Sequence, residues 1–330
     1  MSRTEDFYDR FPFPGPCSAE DAAALRDLAN GIQMLLPAAR LESARVADVG
    51  CGTGQRLINL AQRFPASHFV GIDPGPAAIE QARAAAQAAG VANIDWRVER
   101  LETFADSGAR FDLVIASGLL HHLDDPKAGV ADLARVLAPE GVLYAWLYHA
   151  IGEFDRLRQR ELARMFCPDF GDVERMADVS DALALTLAAD HYGPSSVHVA
   201  DAERLSHAVI DAYFHPTVAA FRFGDMRGLL EACDLQWYCI NCINTPGASY
   251  LLNTGDAAGV DCLFAPKMNA RLKSDALRRS YASQRIEERL RTIELLFKPT
   301  GFTLLAGRHG ALAGLTERVR RAACMLQEPA

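Results

Sequence analysis

Glycine recurs at positions 50, 52 and 54, directly behind the run Val46-Ala47-Asp48-Val49, and a second acid, Asp73, closes the apolar run Phe69-Val70-Gly71-Ile72. Residues of these types at this spacing mark a buried parallel strand that ends in a tight turn and opens a helix. Glycine is needed because the backbone must take dihedrals closed to other residues and let a ligand come close. The helix then points its N-terminal amides, and the positive end of its dipole, at that ligand. A nucleotide-like cofactor is therefore expected on Gly50, Cys51, Gly52 and Gly54. Asp73 follows the loop at about 20 residues, a usual distance for a carboxylate that grips ribose hydroxyls.

A second group of reactive side chains lies downstream. His121 and His122 follow the apolar run Phe111 to Gly118, and Tyr148 and His149 close another such run. His191, Tyr192, Asp211, Tyr213, His215 and Arg222 come later. Taken singly, each is more commonly a packing or surface residue than a ligand. Tyr148, at a strand end, is the strongest of them. Cys239 and Cys242, with Cys233 and Cys262 near in sequence, invite a zinc reading. A structural zinc site wants two well-spaced ligand pairs, and strand alternation sends this pair to opposite faces. No metal is expected.

The elements that must position these groups alternate strand and helix. Strands are expected over 45–49, 68–73, 94–99, 111–118 and 142–148, with helices over 54–64, 77–89 and 126–137. Such a rhythm gives a doubly wound α/β sheet. Strands over 235–242 and 302–307 would bring a mostly parallel Rossmann-like sheet to seven, and helices are expected over 225–233 and 280–296. Ahead of the sheet, Ser18 caps a helix that Pro37 stops. Between positions 7 and 16, four aromatics share the chain with alternating prolines, so an extended segment is expected. It is either a strap over the core or a lid with Tyr8 on the ligand. Residues 151–215 read as helical with no strand run, a cap over the edge of the sheet where open α/β folds place ligands. The division expected is an N-terminal lid and helix (1–40), a cofactor-binding core (41–150), a helical cap insertion (151–215) and the remainder of the sheet with C-terminal helices (216–330).

The chain has 330 residues, half of them hydrophobic, 23% charged, with a net charge of −8. That suits a globular protein with a large core and argues against a general nucleic-acid or membrane-surface binder. No apolar run approaches the roughly 20 residues of a membrane span. The N-terminal ten residues are polar and acidic, unlike a secretory signal, and the eight cysteines lack a disulfide spacing. A cytoplasmic location is expected, and a homodimer is compatible with all of this.

Asp48-x-Gly50-x-Gly52-x-Gly54, Asp73 on the second strand, and Ser117 to Leu123 followed by Leu137-Ala138-Pro139-Glu140-Gly141 resemble the class I S-adenosylmethionine-dependent methyltransferases. Nicotinamide enzymes place their third glycine one residue later. The resemblance spans 40–150, and more loosely 211–240, where Asp211 to Pro216 is similar to a segment of bacterial methyltransferases with a helical insert. It implies that Gly50, Cys51 and Gly52 meet the methionine part of the cofactor, with Asp48 near its ammonium group. Asp73 would bind the ribose and Pro74 flank the adenine. Arg100 and Leu101 occupy the segment that meets the adenine edge, between Glu99 and Glu102, and Ser117 and Gly118 would border the sulfonium. Aromatic and hydroxyl side chains suit a sulfonium, since a cation is drawn to a π face. Tyr148 is thus a catalytic candidate, and His149, His191, Tyr192, Tyr213 and Arg222 are candidates for the substrate.

Methyl transfer is an in-line displacement at a carbon activated by positive sulfur. Holding the reactants in line supplies about 7–11 kcal/mol, whereas a general base adds about 10²–10⁴-fold. Positioning dominates. If a base is used, His121 or His122 is the first candidate, and the pair equally reads as a loop-structuring element. The expected activity is O- or N-methylation of a small molecule, releasing S-adenosylhomocysteine. A rival keeps the cofactor but forms a small ring, of azetidine type, and expels methylthioadenosine. A cofactor-sensing binding protein and a nicotinamide oxidoreductase are more distant alternatives.

Overall fold

The computed structural model describes residues 3–13, 32, 36–186, 198–199, 202–241, 251–253, 268 and 271–311. The strands in it form because apolar runs are buried on both faces of one sheet. β1 (Arg45–Val49) exposes only its first residue, and so does β2 (His68–Asp73). β3 (Ile94–Val98) is more open, with Trp96 its buried anchor. β4 (Phe111–Ser117) exposes only Asp112, and β5 (Leu137–Tyr148) buries its second half almost completely. Such two-sided burial is what a central parallel strand requires.

The sheet order is β3-β2-β1-β4-β5-β10-β8-β9. β1 to β5 pair in parallel. β10 (Gly301–Gly307) runs antiparallel between β5 and β8 (Gln236–Asn241), and β9 (Leu251–Asn253) adds an antiparallel edge. Among the described residues the sheet therefore has eight strands rather than seven, because a three-residue strand is too short to show a period in sequence. The chain leaves β1 toward β2 and β3, then returns to β4 on the other side. That reversal opens a crevice at the C-terminal ends of β1 and β4, the place where doubly wound sheets bind ligands.

The described residues form two separate apolar cores. One fills both faces of the sheet. The other lies among helices Phe154–Phe166, Val173–Ala182 and His207–Phe214, and takes in Phe7 and Phe11 from the N-terminus. No helix among the described residues is long and apolar enough to cross a membrane.

Several sequence expectations change. Residues Arg3–Arg10 form a helix, not an extended strap. The prolines begin at position 12 and only stop it, while Phe7 and Phe11 lie one turn apart and share one apolar face. Residues 151–215 do contain strands: β6 (His198–Val199) pairs antiparallel with β7 (Ala202–Ser206). Both are too short and polar to announce themselves. The helix expected over 280–296 is two helices, Asp275–Ala282 and Ile286–Phe297, because Glu288 caps the backbone of Arg285 and starts a new helix there. The helix expected over 18–36 lies mostly outside the described residues.

Trp96 locks β3 to the glycine loop. A Cβ on Gly54 would stand 2.4 Å from the Trp96 ring, and one on Gly71 would stand 2.6 Å from it. The indole thus fills the space that two glycines leave open. Gly71→Ala is expected to cost about 2 kcal/mol in urea denaturation through overpacking, and less than half of that in a Trp96→Leu background. An equal cost in both backgrounds would place the strain elsewhere.

Candidate active site

The turn after β1 is built on one carbonyl. Gly50 and Cys51 both donate their amides to the Ile72 oxygen, at 2.9 and 3.0 Å. Gly50, Gly52 and Gly54 all have positive φ, between 54° and 78°. The chain then enters helix Gln55–Arg63 with Gly54 as its left-handed cap. Gly52 donates its amide to Asp73 Oδ2 at 3.0 Å, and Gly75 donates to Oδ1 at 2.9 Å. Both Asp73 oxygens are thus anchored by backbone, and each retains acceptor capacity toward the crevice. Pro74, half-buried, sits between these two anchors.

Asp48 and Asp73 are two buried acids at one crevice. Burial pushes Asp48 up to about 7, with Arg56 opposing and Asp73 adding to the rise. Burial pushes Asp73 up to about 6, against the two amides that favour its charge. The Cys51 thiol is pushed well up by burial and by both acids. From the first turn of its helix, Arg56 Nη1 donates to Ser117 Oγ at 3.0 Å, tying the loop to the end of β4. Gly118 follows with φ 85° and open space where a Cβ would stand. The donor set has a surplus of negative charge and hydroxyl-accepting oxygens. It fits a ligand that carries a cation and a diol.

The N-terminal helix lies over this crevice. Phe13 O accepts the Thr53 amide at 3.4 Å, and Glu5 pairs with Arg100 at 3.0 Å. Arg100 is therefore turned toward the N-terminal helix, while Leu101 is buried beneath it in the sheet core. Tyr8 donates its hydroxyl to Asp211 Oδ1 at 2.9 Å.

Asp211 is the centre of a second, buried polar cluster. Tyr148 reaches Asp211 Oδ2 at 3.5 Å, and His122 Nε2 lies 3.9 Å from Oδ1. One ligand atom from each of His122, Asp211 and His215 lies within 4.8 Å of the others, the spacing of a metal triad. The His122 and His215 rings are 3.9 Å apart, and His121 stacks on Tyr148 at 3.9 Å. Arg156 sits 4.4 Å over the other side of the Tyr148 ring and pairs with buried Glu153. Burial pushes all three histidines below their ordinary value; for His122, Asp211 pulls the other way. The imidazoles are neutral, as a general base must be before it acts.

Other expected residues are elsewhere. His149 is wholly buried beside Phe223 and Phe302, with Nε2 3.1 Å from Glu294. Being next to Tyr148 on a strand, it faces the opposite side of the sheet. Arg222 Nε lies 3.7 Å from the same Glu294. Tyr213 donates to Thr186 O at 2.8 Å beside the second apolar core. These three are not brought to the cluster, and His191 and Tyr192 lie outside the described residues. Arg56, Glu153, Arg156 and Thr217 went unnoticed in the sequence. Glu153 and Arg156 have the i, i+3 spacing of an ordinary solvated pair, so nothing local marks their burial. Asp211 with His207 and His215 at i±4 does mark one helical face, and all three are buried.

The raised acids have a consequence for stability. Below its unfolded value of 3.8 Asp48 is protonated in both states, and between there and about 7 only the folded state holds the proton. Stability of the unliganded protein is therefore lost as pH rises through that window, and Asp73 acts in the same direction. Asp48→Asn, neutral throughout, is expected to flatten the fall in thermal midpoint between pH 4 and 7. An unchanged slope would show that burial of Asp48 is not its cause.

The chain is similar to known proteins. A family model described as "Methyltransferase domain" matches residues 46–141. An uncharacterised protein of Synechococcus sp. is 28% identical over 281 residues, covering 82% of this chain and 62% of that one. The ubiquinone biosynthesis O-methyltransferase of Hahella chejuensis is 38% identical over 107 residues, covering 32% of this chain and 44% of that one. Among solved structures, PKMT2 from Rickettsia typhi superposes with a TM-score of 0.61 at 16% identity, over 90% of this chain and 55% of that one. The chain thus spans between 44% and 62% of the length of these relatives. The matched methyltransferase domain takes in the glycine loop, β1 to β4 and the first residues of β5.

Proposed function

We propose that the chain binds S-adenosylmethionine on the glycine loop and transfers its methyl group to a small-molecule acceptor held beneath the cap, 151–215. The observation that carries this reading is the pair of buried, incompletely neutralised acids Asp48 and Asp73 at the crevice between β1 and β4. An ammonium group beside Asp48 would restore its charge, and ribose hydroxyls would donate to the open lone pairs of Asp73. PKMT2 from Rickettsia typhi, of similar fold, has been solved in complex with AdoHcy. The O-methyltransferase name of the Hahella chejuensis relative supports an acceptor other than carbon.

In this reading Gly50, Cys51 and Gly52 bring backbone to the methionine part, while Pro74 and the segment Arg100–Leu101 flank the adenine. Ser117 and Gly118, held by Arg56, border the sulfonium. Bound S-adenosylmethionine supplies a methyl carbon already activated by positive sulfur. The remaining work belongs to the chain: Tyr8 and Tyr148 wall the acceptor site, the N-terminal helix acts as a lid that excludes water, and His122 takes a proton. His121 packs against Tyr148 and holds it.

Asp73→Ala is expected to weaken S-adenosylmethionine binding about 100-fold in calorimetry, from the loss of charge-assisted hydrogen bonds worth roughly 3 kcal/mol. Unchanged affinity would overturn the cofactor assignment. Mass spectrometry of the protein with S-adenosylmethionine alone separates the chemistries. Intact cofactor is expected, and methylthioadenosine formed without an acceptor would replace methyl transfer by attack within the cofactor itself.

A further inference from the structure

The His122, Asp211 and His215 cluster has the spacing of a metal triad, but one residue sets the two rings against each other. Thr217 O lies 2.9 Å from His122 Nδ1. A carbonyl only accepts, so this nitrogen carries the proton and His122 Nε2 presents a lone pair. The amide of the same Thr217 donates to His215 Nδ1 at 3.0 Å. An amide only donates, so Nδ1 is bare, and the neutral His215 ring carries its proton on Nε2. The two imidazoles are held in opposite tautomers by the two ends of one peptide residue.

That arrangement disfavours a metal ion. A cation needs a lone pair from each ring, and the only lone pair on His215 is already taken by the Thr217 amide. It does leave unmet hydrogen-bonding capacity. His215 Nε2 is buried, in a residue with no exposure, and has no partner among the described residues. The 3.9 Å between His122 Nε2 and Asp211 Oδ1 is too long for a direct hydrogen bond, and both atoms are acceptors, so Asp211 does not satisfy the His122 lone pair. Leaving a buried donor unmade costs about 1–3 kcal/mol, which a partner would recover.

We propose that His122 and His215 form a matched acceptor and donor for a substrate hydroxyl, so that the acceptor of methyl transfer is an alcohol or phenol. This rests on the methyltransferase reading and names its substrate class. The hydroxyl donates to His122 Nε2, and its oxygen accepts from His215 Nε2–H. As the oxygen bonds to the methyl carbon, the carbon–sulfur bond breaks and its electron pair returns to sulfur. The O–H proton passes to His122 Nε2. Asp211, which carries the Tyr8 and Tyr148 hydroxyls, stabilises the imidazolium that forms. His122 is then the base, His215 a substrate-binding group, and Thr217 the positioning residue for both. An amine substrate, protonated at neutral pH, has no lone pair to offer the His215 N–H and gains nothing from that donor.

The tautomers are read directly, without turnover, from a long-range proton–nitrogen correlation spectrum of nitrogen-labelled protein. His122→Gln and His215→Gln serve to assign the signals. Opposite tautomers are expected, with His122 protonated at Nδ1 and His215 at Nε2. The same tautomer in both rings would overturn the proposal, and so would stoichiometric binding of zinc chloride that shifts both rings. Transfer of an isotope-labelled methyl group from S-adenosylmethionine to a bacterial metabolite extract reads the acceptor atom from the methyl resonance. An O-methyl product is expected, slowed at least about 100-fold by His122→Gln with cofactor affinity intact; an N-methyl product would overturn it. Failure of the wild-type protein to bind S-adenosylmethionine would sink the cofactor reading instead, and the tautomers would still decide the state of the pair.

Discussion

The carbonyl of Ile72 is the contact on which the site depends. It accepts two amides, from Gly50 and Cys51, and so fuses the turn after β1 to the end of β2. With the turn fixed there, the Gly52 amide has one direction left, and Asp73, the next residue along β2, meets it. A shift of β2 by one residue would turn Asp73 to the other face and leave the loop amide unpaired. The parallel register of β1 on β2, Val49 beside Ile72, holds that alignment. Trp96 closes the arrangement from β3 by occupying the room left by Gly54 and Gly71.

Beside this rigid half stands a group of helices with its own core, and the N-terminal helix joins the two. Phe7 and Phe11 are buried among side chains of the second core. The same helix reaches Arg100 through Glu5, and Asp211 through Tyr8. The exposed ion pair contributes little by itself. The apolar side chains hold the helix, and its polar ones then face the crevice in a fixed order. This is why a short polar and aromatic segment far from the glycine loop in sequence becomes a wall of the site.

The polar cluster around Asp211 is costly to build. Asp211, Glu153 and Arg156 are charged groups taken out of water, and four neutral rings with polar nitrogens or hydroxyls are packed around them. Replacing such groups by apolar side chains of similar volume is often neutral or stabilising. Their cost is offset by mutual pairing, with Arg156 bonded to Glu153 and stacked over Tyr148. What pairing leaves unmet, at His215 Nε2 and between His122 and Asp211, is the part that a ligand can use.

The sequence by itself determined the half of the protein whose signals are local. A glycine turn, an acid at a strand end and continuous apolar runs are consequences of backbone geometry and two-sided burial, so Gly50 to Gly54, Asp73 and β1 to β4 were legible within a residue or two, while β5 begins at Leu137, ahead of the expected start at 142. Strand order across the antiparallel edge, the helix at Arg3–Arg10 and the paired strands β6 and β7 were not. Short elements carry too few residues to show a period, and tertiary packing decides their state. His121, His122, Tyr148 and Asp211 were visible as reactive residues, yet so were His149, Arg222 and Tyr213, which the fold sends to other partners. Only the tertiary structure could sort them. Whether a side chain faces the cluster or Glu294 is set by strand alternation and by contacts made across more than 50 residues, as between Tyr148 and Asp211 and between His149 and Glu294. The role of Thr217 is further still from the sequence, because its backbone makes the contacts and every residue type but proline has the same backbone groups to offer.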